Sequence, residues 1–290
     1  MQVKVGCGQI TWRGVPEEAV LSDISAAGYE GAPMGLRGGR SATDVKEAYA
    51  RHGLQPAPGY LGGDFWDAGK LDEFIAQAER FAAASRDLGL TEVYVAAGGF
   101  NEVAPSGRTR RDAAAHATPE DALSEKDFEQ LARCVEAIAR TTLAAGVRSC
   151  YHNHVGTFVE TEDEIERLLS MVDPEVLFLG PDTGHLAWAG VDVVDFTRRH
   201  ADRIKTMHLK DVVESVRAEG SAAGWDYSTF EQHAIWTEIG HGSVDFAAML
   251  EILGGADFTG WLIVETDVTQ QPTPLESATI SRENLRTLGI

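Results

Sequence analysis

Short apolar runs alternate with longer amphipathic stretches along the whole 290-residue chain. The short runs are rich in Val, Ile, Leu and Tyr, as buried strands are, whereas the longer stretches repeat apolar residues at helical spacing. Eight strands are predicted, at residues 3–10, 29–34, 54–60, 92–97, 147–153, 176–181, 204–209 and 261–265. This alternation is typical of parallel βα units. Eight such units in a chain of this length predict a single (β/α)₈ TIM barrel domain over residues 1–290.

The stretches between the strands carry the boundary signals of helices. Residues 16–28, 71–89 and 125–146 each open with acidic side chains and close at Gly, as the helix dipole and C-cap preferences require. The main alternative fold is a doubly wound open sheet. That fold usually has a GxGxxG turn after its first strand, whereas this chain reads CGQITW there, so the barrel is favoured.

Two connections are far longer than βα loops normally are. Residues 98–124 follow strand four and carry the basic cluster Arg108, Arg110 and Arg111. Residues 211–244 follow strand seven and are rich in aromatic side chains, namely Trp225, Tyr227, Phe230 and Trp236. In a barrel both segments emerge at the face that holds the active site. We interpret them as a lid that excludes water, the alternatives being a decorative insertion or an oligomer contact.

The composition limits what the protein can be expected to bind and where in the cell it is expected to lie. A formal net charge of -20 argues against a surface built to bind nucleic acid. Cys7, Cys134 and Cys150 are widely spaced without a CxxC pair, so neither disulfides nor a thiolate zinc site is expected. No signal peptide or membrane span is predicted, and a cytoplasmic protein is expected. Homo-oligomers are neither required nor excluded.

The carboxyl ends of the last four predicted strands carry polar side chains of the kinds that bind metals. Because active sites of barrels form at this end, these side chains are expected to converge. They are His152, Asn153 and His154 after strand five, Asp182 and His185 after strand six, His208, Lys210 and Asp211 after strand seven, and Glu265 and Asp267 after strand eight. A mixed nitrogen and oxygen donor set without thiolate suits one divalent ion, with Mn²⁺ or Co²⁺ favoured and Zn²⁺ or Mg²⁺ as alternatives.

This set resembles the metal site of the xylose-isomerase-like barrel superfamily, and the resemblance covers essentially the whole chain. The order of segments is most similar to the inosose dehydratases: ITW, GTFVETEDEIERLL, DTGHLAWAGVD, HLKDV, GHGSVDF and GWLIVETD. The resemblance implies that Asp182, His208 and Glu265 are metal ligands. Many members have Glu where this chain has His152, so either His152 replaces that ligand or three protein groups and water hold the metal.

The resemblance further implies an enzyme that abstracts the proton α to the carbonyl of a small polyol or sugar ketone, as inosose dehydratases do. Either His154 or Glu265 is the base, and His154, His185 or Lys210 protonates the departing hydroxyl. Substrate binding is assigned to Trp12, His185, Asp211 and Arg37. Two departures, Pro33 in place of a common Glu and ETDVTQ in place of an EQD continuation, point to a related ketone rather than inosose itself.

Three other functions remain open at this point. A ketose isomerase or 3-epimerase would use the same metal and return the proton to carbon. A DNA-repair endonuclease of the same superfamily would need a basic groove, which the net charge of -20 argues against. A non-catalytic sugar-binding barrel would have little use for the polar cluster.

Overall fold

A computed structural model describes residues 1–290, with the exception of the side chain of Arg37. Strands and helices alternate along the chain. The strands are β1 (Gln2–Cys7), β2 (Gly31–Pro33), β3 (Gln55–Ala57), β4 (Tyr60–Gly63), β5 (Glu92–Ala97), β6 (Arg148–Tyr151), β7 (Leu177–Leu179), β8 (Met207–Leu209), β9 (Asp211–Val212), β10 (Trp236–Thr237) and β11 (Thr259–Val264). Short 3₁₀ turns lie at Ile10–Trp12, Arg37–Gly39, Ala68–Lys70 and Pro119–Asp121.

The α-helices follow the strands as expected for βα units. They are α1 (Glu17–Ala26), α2 (Ala42–Ala50), α3 (Leu71–Asp87), α4 (Glu125–Ala144), α5 (Glu162–Met171), α6 (Thr183–Trp188), α7 (Val193–His200), α8 (Glu214–Ala223), α9 (Tyr227–Gln232), α10 (Phe246–Gly255) and α11 (Pro274–Thr287). The three helices predicted from boundary signals are α1, α3 and α4. In α4, Ser124 caps the first turn by accepting the Asp127 N–H at 3.2 Å.

Parallel pairing brings the strands into two sheets, in the orders β3-β2-β1-β11-β8 and β4-β5-β6-β7. First and last strands meet, because β1 pairs with β11 from Gln2↔Thr259 to Cys7↔Val264. The isolated parallel bridges Leu179↔Ile204 and Asp182↔His208 join the second sheet to the first beside β7 and β8. On the opposite side the chain itself runs from β3 into β4. The predicted barrel is confirmed.

At the third strand position of the barrel, two short strands stand in place of the single strand predicted at 54–60. They are β3 and β4, which pair with different neighbours, β2 and β5 respectively. The change falls at Pro58 and Gly59, where the Tyr94 N–H already donates to the Gly59 carbonyl at 2.8 Å. Pro58 has no N–H to donate to a ladder, so the strand is interrupted there.

The segment 211–244 was predicted as a long connection, and it contains structure of its own. It folds into β9, α8, α9 and β10, with β9 and β10 paired antiparallel. A second hydrophobic core, separate from that of the barrel, joins this segment to the 98–124 loop; its buried members include Ala114, Val155, Trp188, Tyr227, Phe230 and Trp236. The two long connections therefore form one packed layer above the barrel.

Cys7, Cys134 and Cys150 are buried free thiols. Within the described part of the chain, no helix combines the length and the apolar character needed to cross a membrane.

Candidate active site

The last strands of the barrel deliver four side chains to one point at their carboxyl ends. His152 follows β6, Asp182 follows β7, His208 lies within β8 and Glu265 follows β11. Backbone pairing fixes the positions of these residues along the barrel axis. His208 N donates to the Pro181 carbonyl at 2.9 Å, and Glu265 N donates to the Leu209 carbonyl at 3.0 Å. The predicted convergence of these side chains follows from the parallel register.

Space for Glu265 depends on a glycine in the first strand's extension. A Cβ on Gly8 would lie 2.0 Å from the Glu265 Oε1 atom, far inside contact distance. Gly8 therefore allows the carboxylate to fold back over the end of β1 toward the barrel axis.

The distances within this cluster fit a shared cation. His208 Nδ1 lies 3.2 Å from Glu265 Oε2 and 3.8 Å from Asp182 Oδ2, and His152 Nε2 lies 3.9 Å from Asp182 Oδ2. Ligand atoms that each stand about 2.1 Å from one ion are roughly 3.0 to 3.5 Å apart at tetrahedral or octahedral angles. Small side-chain movements would bring all four groups within coordinating reach of one ion.

Unpartnered polar atoms support the same conclusion. Both ring nitrogens of His208 and Nδ1 of His152 are buried without a hydrogen-bond partner among the described side chains. Buried polar groups without partners are costly. A divalent ion of intermediate hardness, which accepts imidazole nitrogen and carboxylate oxygen together, would satisfy the nitrogens that face it.

Lys210 places an ammonium group beside the same carboxylates. Its Nζ lies 2.8 Å from Asp267 Oδ1, 3.1 Å from Glu265 Oε2 and 3.2 Å from Asp182 Oδ2. Burial alone would lower the pKa of Lys210, but these three carboxylates outweigh it and hold that pKa well above its usual value. Lys210 therefore carries its positive charge within the cluster.

The pKa values of Asp182 and Glu265, the two carboxylates among the four converging side chains, are shifted in opposite directions. Burial raises the pKa of Asp182, against the opposing effects of Lys210 and His208. For Glu265 the attraction of His208 and Lys210 overcomes burial and holds the pKa well below its ordinary value. Glu265 is therefore ionised, as a metal ligand must be, and its lowered pKa makes it a weak proton acceptor.

His154 and His185 stack beside the cluster, with ring centroids 3.6 Å apart. The backbone of Val155 contacts both rings: its carbonyl accepts from His154 Nδ1 at 2.7 Å, and its N–H donates to His185 Nδ1 at 3.3 Å. His154 therefore carries its proton on Nδ1 and has a free lone pair on Nε2. Burial lowers the pKa of His154 to about 4, so the ring is neutral near pH 7.

The long connections hold His154 in place. Phe100, from the 98–124 loop, makes an edge contact with the His154 ring at 5.1 Å, and Tyr227, from the second segment, lies parallel to it at 6.3 Å. Trp225, Phe230 and Trp236 pack within the second core and are absent from the described cavity lining. The packed layer thus forms a fixed wall of the site; motion as a lid stays a prediction.

A cavity of about 760 Å³ opens above the cluster. Its lining includes five of the residues named above: His152, His154, His208, Lys210 and Glu265. Trp12 also lines it, with its indole N–H bound to Asp23 Oδ2 at 2.8 Å. These side chains can stack a ring against a ligand in this cavity and can exchange a proton with it.

The other residues assigned to substrate binding lie elsewhere. His185 is fully buried behind His154. The Asp211 carboxylate accepts hydrogen bonds from the N–H groups of Val212, Gly240, Gly242 and Val244, which fastens the end of the second long segment. The side chain of Arg37 lies outside the described part of the structure. Substrate roles for these three residues stay predictions.

Two residues of the site were not assigned a role from the sequence. Asp267 was noted at the end of the last strand but not placed in the site, although it makes the shortest contact to Lys210. Tyr60, in β4, lines the cavity and makes an edge contact with His152 at 5.2 Å. The available signal for Tyr60 was an aromatic side chain directly after the Pro58–Gly59 break.

Comparisons with known proteins identify the family and relatives of this chain. A model of the xylose isomerase-like TIM barrel family matches residues 13–288. An inosose dehydratase of Geobacillus kaustophilus is 29% identical over 278 residues, which cover 91% of this chain and 87% of that protein. The rhizopine catabolism protein MocC of Rhizobium meliloti is 31% identical over 296 residues, which cover 98% of this chain and 88% of that protein.

Among solved structures, an L-ribulose 3-epimerase superposes with a TM-score of 0.70 at 18% identity, over 99% of this chain and 94% of that chain. The fold is therefore shared with a sugar epimerase, whereas the sequence is more similar to an inosose dehydratase. The family match and the inosose dehydratase relatives place this protein among enzymes of the lyase or isomerase type. On the match of residues 13–288, the chain belongs to the xylose isomerase-like TIM barrel family.

Proposed function

We propose that this protein is a divalent-metal-dependent enzyme that removes the proton α to the ketone of a small polyhydroxylated substrate and then eliminates water, as an inosose dehydratase does. The observation that carries the proposal is the convergence of His152, Asp182, His208 and Glu265 beside an open cavity. The similarity to an inosose dehydratase over 91% of the chain supports dehydration as the reaction.

These four residues would hold the metal, with His152 in the place where many relatives have Glu. The orphaned ring nitrogens of His208 and the approach of His152 Nε2 to Asp182 Oδ2 at 3.9 Å support that assignment. A bound divalent ion would act as a Lewis acid toward the ketone oxygen and lower the cost of the negative charge that develops there.

His154 is the better of the two candidate bases. Its Nε2 lone pair is free because Nδ1 donates to the Val155 carbonyl, and the ring lines the cavity. Glu265 is stabilised as an ion by His208 and Lys210, which makes it a weak proton acceptor. In the proposed reaction His154 Nε2 takes the α-proton from carbon.

Lys210 is assigned to the departing hydroxyl. Its ammonium lines the cavity, whereas His185 lies behind His154 and supports that ring instead. Lys210 Nζ gives a proton to the departing β-hydroxyl, which leaves as water while the enolate electrons form the new C=C bond, and Asp182, Glu265 and Asp267 fix the position of Nζ. The proton that His154 takes from carbon is returned to Lys210 through solvent after the product leaves. The leaving group thus departs beside a positive charge, which favours elimination.

The test is an assay of Mn²⁺-loaded protein on scyllo-inosose and on a panel of ketohexoses. We expect a conjugated product with ultraviolet absorbance from the inosose, and loss of at least about 100-fold in kcat for His154→Gln. His233→Gln, which changes an exposed histidine, is the matched control. A stereoisomer of unchanged mass would instead assign the protein as an epimerase, and no turnover of any ketone would reject the proposal.

A further inference from the structure

Exposed apolar side chains line part of the cavity above the cluster, and one of them, Tyr60, also contacts His152. Ile10, Val15 and Tyr60 are 41%, 42% and 42% exposed, and all three line this cavity. The structure describes seven large hydrophobic side chains that are exposed, so nearly half of them gather at one site. Exposed apolar side chains that cluster in a concave surface mark a ligand or partner site.

Gln9 and Arg40, in that part of the cavity, have partners within the protein, whereas Arg13, which also lines the cavity, is 58% exposed and reaches Glu231 only at 3.4 Å. The Gln9 amide donates to the Pro33 carbonyl at 3.1 Å and to the Tyr49 hydroxyl at 3.0 Å. Arg40 binds both carboxylate oxygens of Glu17, at 2.7 and 2.8 Å. Hydroxyl groups placed here would lose their water without gaining these donors and acceptors, which is unfavourable.

The backbone and the indole complete this apolar side. Trp12 has used its N–H on Asp23, so only its ring is available to a ligand. Pro33 and Pro58, which also line the cavity, have no N–H group. The cavity therefore has a polar end with His152, His208, Lys210 and Glu265. The rest of its lining includes an apolar wall, which is formed by Ile10, Trp12, Val15, Pro33, Pro58 and Tyr60; Tyr60 borders the polar end.

We propose that the substrate is a polyhydroxylated ketone that carries an apolar substituent, as an ether or a glycoside, and that the apolar wall binds this substituent. This inference rests on the proposed function for the polar end of the site. The cavity of about 760 Å³ lies within the range of about 300–1,000 Å³ that suits ligands larger than a single free sugar. A substituent there and a ketone at His154 and Lys210 would occupy one continuous space.

A second copy of the chain is the other occupant that an apolar surface could bind. The wall is concave and continuous with His152, His208 and Glu265, so a covering subunit would have to insert a side chain into the catalytic cavity. The observations favour a substituent of the substrate, and the experiment distinguishes the two.

The experiment compares two probes, scyllo-inosose and its mono-O-benzyl ether, with the Mn²⁺-loaded full-length protein. Binding is measured by calorimetry, and turnover is measured separately by product analysis. We expect the ether to bind at least tenfold more tightly than the unsubstituted ketone. The double variant Ile10→Asn/Val15→Asn should reduce this ratio to near one. Val103→Asn, a change at an apolar residue that is 63% exposed and outside the cavity lining, should preserve it.

Each outcome has a defined meaning. A preserved binding ratio without turnover of either probe would contradict the proposed reaction and leave the apolar wall as a binding site for substituents. Equal binding of the two probes by the parent protein would overturn this inference whatever the turnover. Conversion of an oligomer to a monomer by the double variant, with the binding ratio unchanged, would make the wall an interface between copies and overturn it as well. Circular dichroism of the variants checks that they fold.

Discussion

Asp182 combines a structural and a chemical contact in one side chain. Its Oδ1 caps α6 by accepting the His185 N–H at 3.0 Å, while Oδ2 faces His152, His208 and Lys210. Asn caps helices about as well as Asp, so the two contacts can be separated by one substitution.

We expect Asp182→Asn to fold normally and to bind Mn²⁺ at least about 100-fold more weakly, because the ligand set loses a negative charge. Metal content after dialysis against limiting Mn²⁺ measures the effect. Asp245→Asn makes the same chemical change at the exposed N-cap of α10, where Asp245 accepts the Ala248 N–H at 3.0 Å. Equal metal content in both variants would show that Asp182 is only a cap.

Glu160, which lies outside the cluster of candidate metal ligands, is expected to make the stability of the protein depend on pH. This carboxylate is 1% exposed and accepts the N–H groups of Gly156 at 2.7 Å and Ala115 at 2.8 Å. Burial, opposed by Arg110, raises the pKa of Glu160 from 4.5 to about 7. Because the folded state binds the proton more tightly, the stability from this group is full below pH 4.5 and is lost as the pH rises through about 7.

Glu160→Gln removes this titration, so the variant should lose less stability than the parent between pH 5 and pH 8. The expected difference is roughly 2–3 kcal/mol, since each pKa unit corresponds to about 1.4 kcal/mol. Urea denaturation at the two pH values measures it. Glu162→Gln, at a side chain that is 39% exposed, should keep the parent's dependence. Parallel behaviour of all three proteins would rule out Glu160 as the source.

Sequence reasoning found the residues of the site that follow strands and missed those placed by tertiary contacts. His152, Asp182, His208 and Glu265 could be predicted because parallel strands end at one face of a barrel. Tyr60 ends the strand predicted at 54–60 but received no role, because the sequence does not show that a new strand, β4, begins there and brings its ring against His152. The contacts of Asp211 with Gly240, Gly242 and Val244 could not either, because they depend on how a 30-residue segment returns to β9.

Among the elements, the 98–124 loop is anchored by a buried arginine. Arg110 is fully buried and binds Glu164 through two nitrogens, at 2.8 and 2.9 Å. It also approaches Glu160 Oε2 at 3.4 Å, and Glu160 in turn holds Gly156, two residues after His154. The loop and the His154 segment are therefore tied to each other through one guanidinium.

We expect Arg110→Ala to destabilise the protein by about 3–5 kcal/mol, because two carboxylates at Glu160 and Glu164 would lose their buried partner. The 98–124 loop should also become sensitive to limited proteolysis. Arg133→Ala removes an arginine that is 60% exposed on α4 and should change neither property measurably. An unchanged cleavage pattern in Arg110→Ala would show that the second core alone holds the loop.

Element boundaries were predictable where apolar residues recur at helical spacing over a long stretch. They were less predictable in short elements. The helices α3 and α4 begin at Leu71 and Glu125, at the predicted first residues, because an acidic first turn marks both positions and Ser124 also caps α4. The segment 211–244 contains α8 and α9, which are short and stabilised mainly by the second core. Local sequence signals are weak for helices whose stability comes from tertiary packing.

In the whole molecule, the ring of strands is weakly paired between β7 and β8, at a position that we call the seam. The sheets that contain β7 and β8 are joined there by the isolated bridges Leu179↔Ile204 and Asp182↔His208 rather than by a regular ladder. His152 and Asp182 lie on the side of β6 and β7, whereas His208 and Glu265 belong to β8 and β11. A cation held by all four residues would link the two sheets across this seam.

Metal binding is therefore expected to stabilise the whole barrel and not only the site. At about 100 times its Kd, a ligand that binds only the folded state adds about 2.7 kcal/mol, which is roughly 5 °C in Tm for a domain of this size. Mn²⁺ should produce such a shift in the parent and in Asp245→Asn, but not in Asp182→Asn or His208→Gln. Hydrogen exchange should slow most at residues 177–180 and 204–209, which flank the seam. A Tm shift of equal size in His208→Gln would place the stabilising ion elsewhere, and protection confined to the loops would show that the seam does not limit the stability of the barrel.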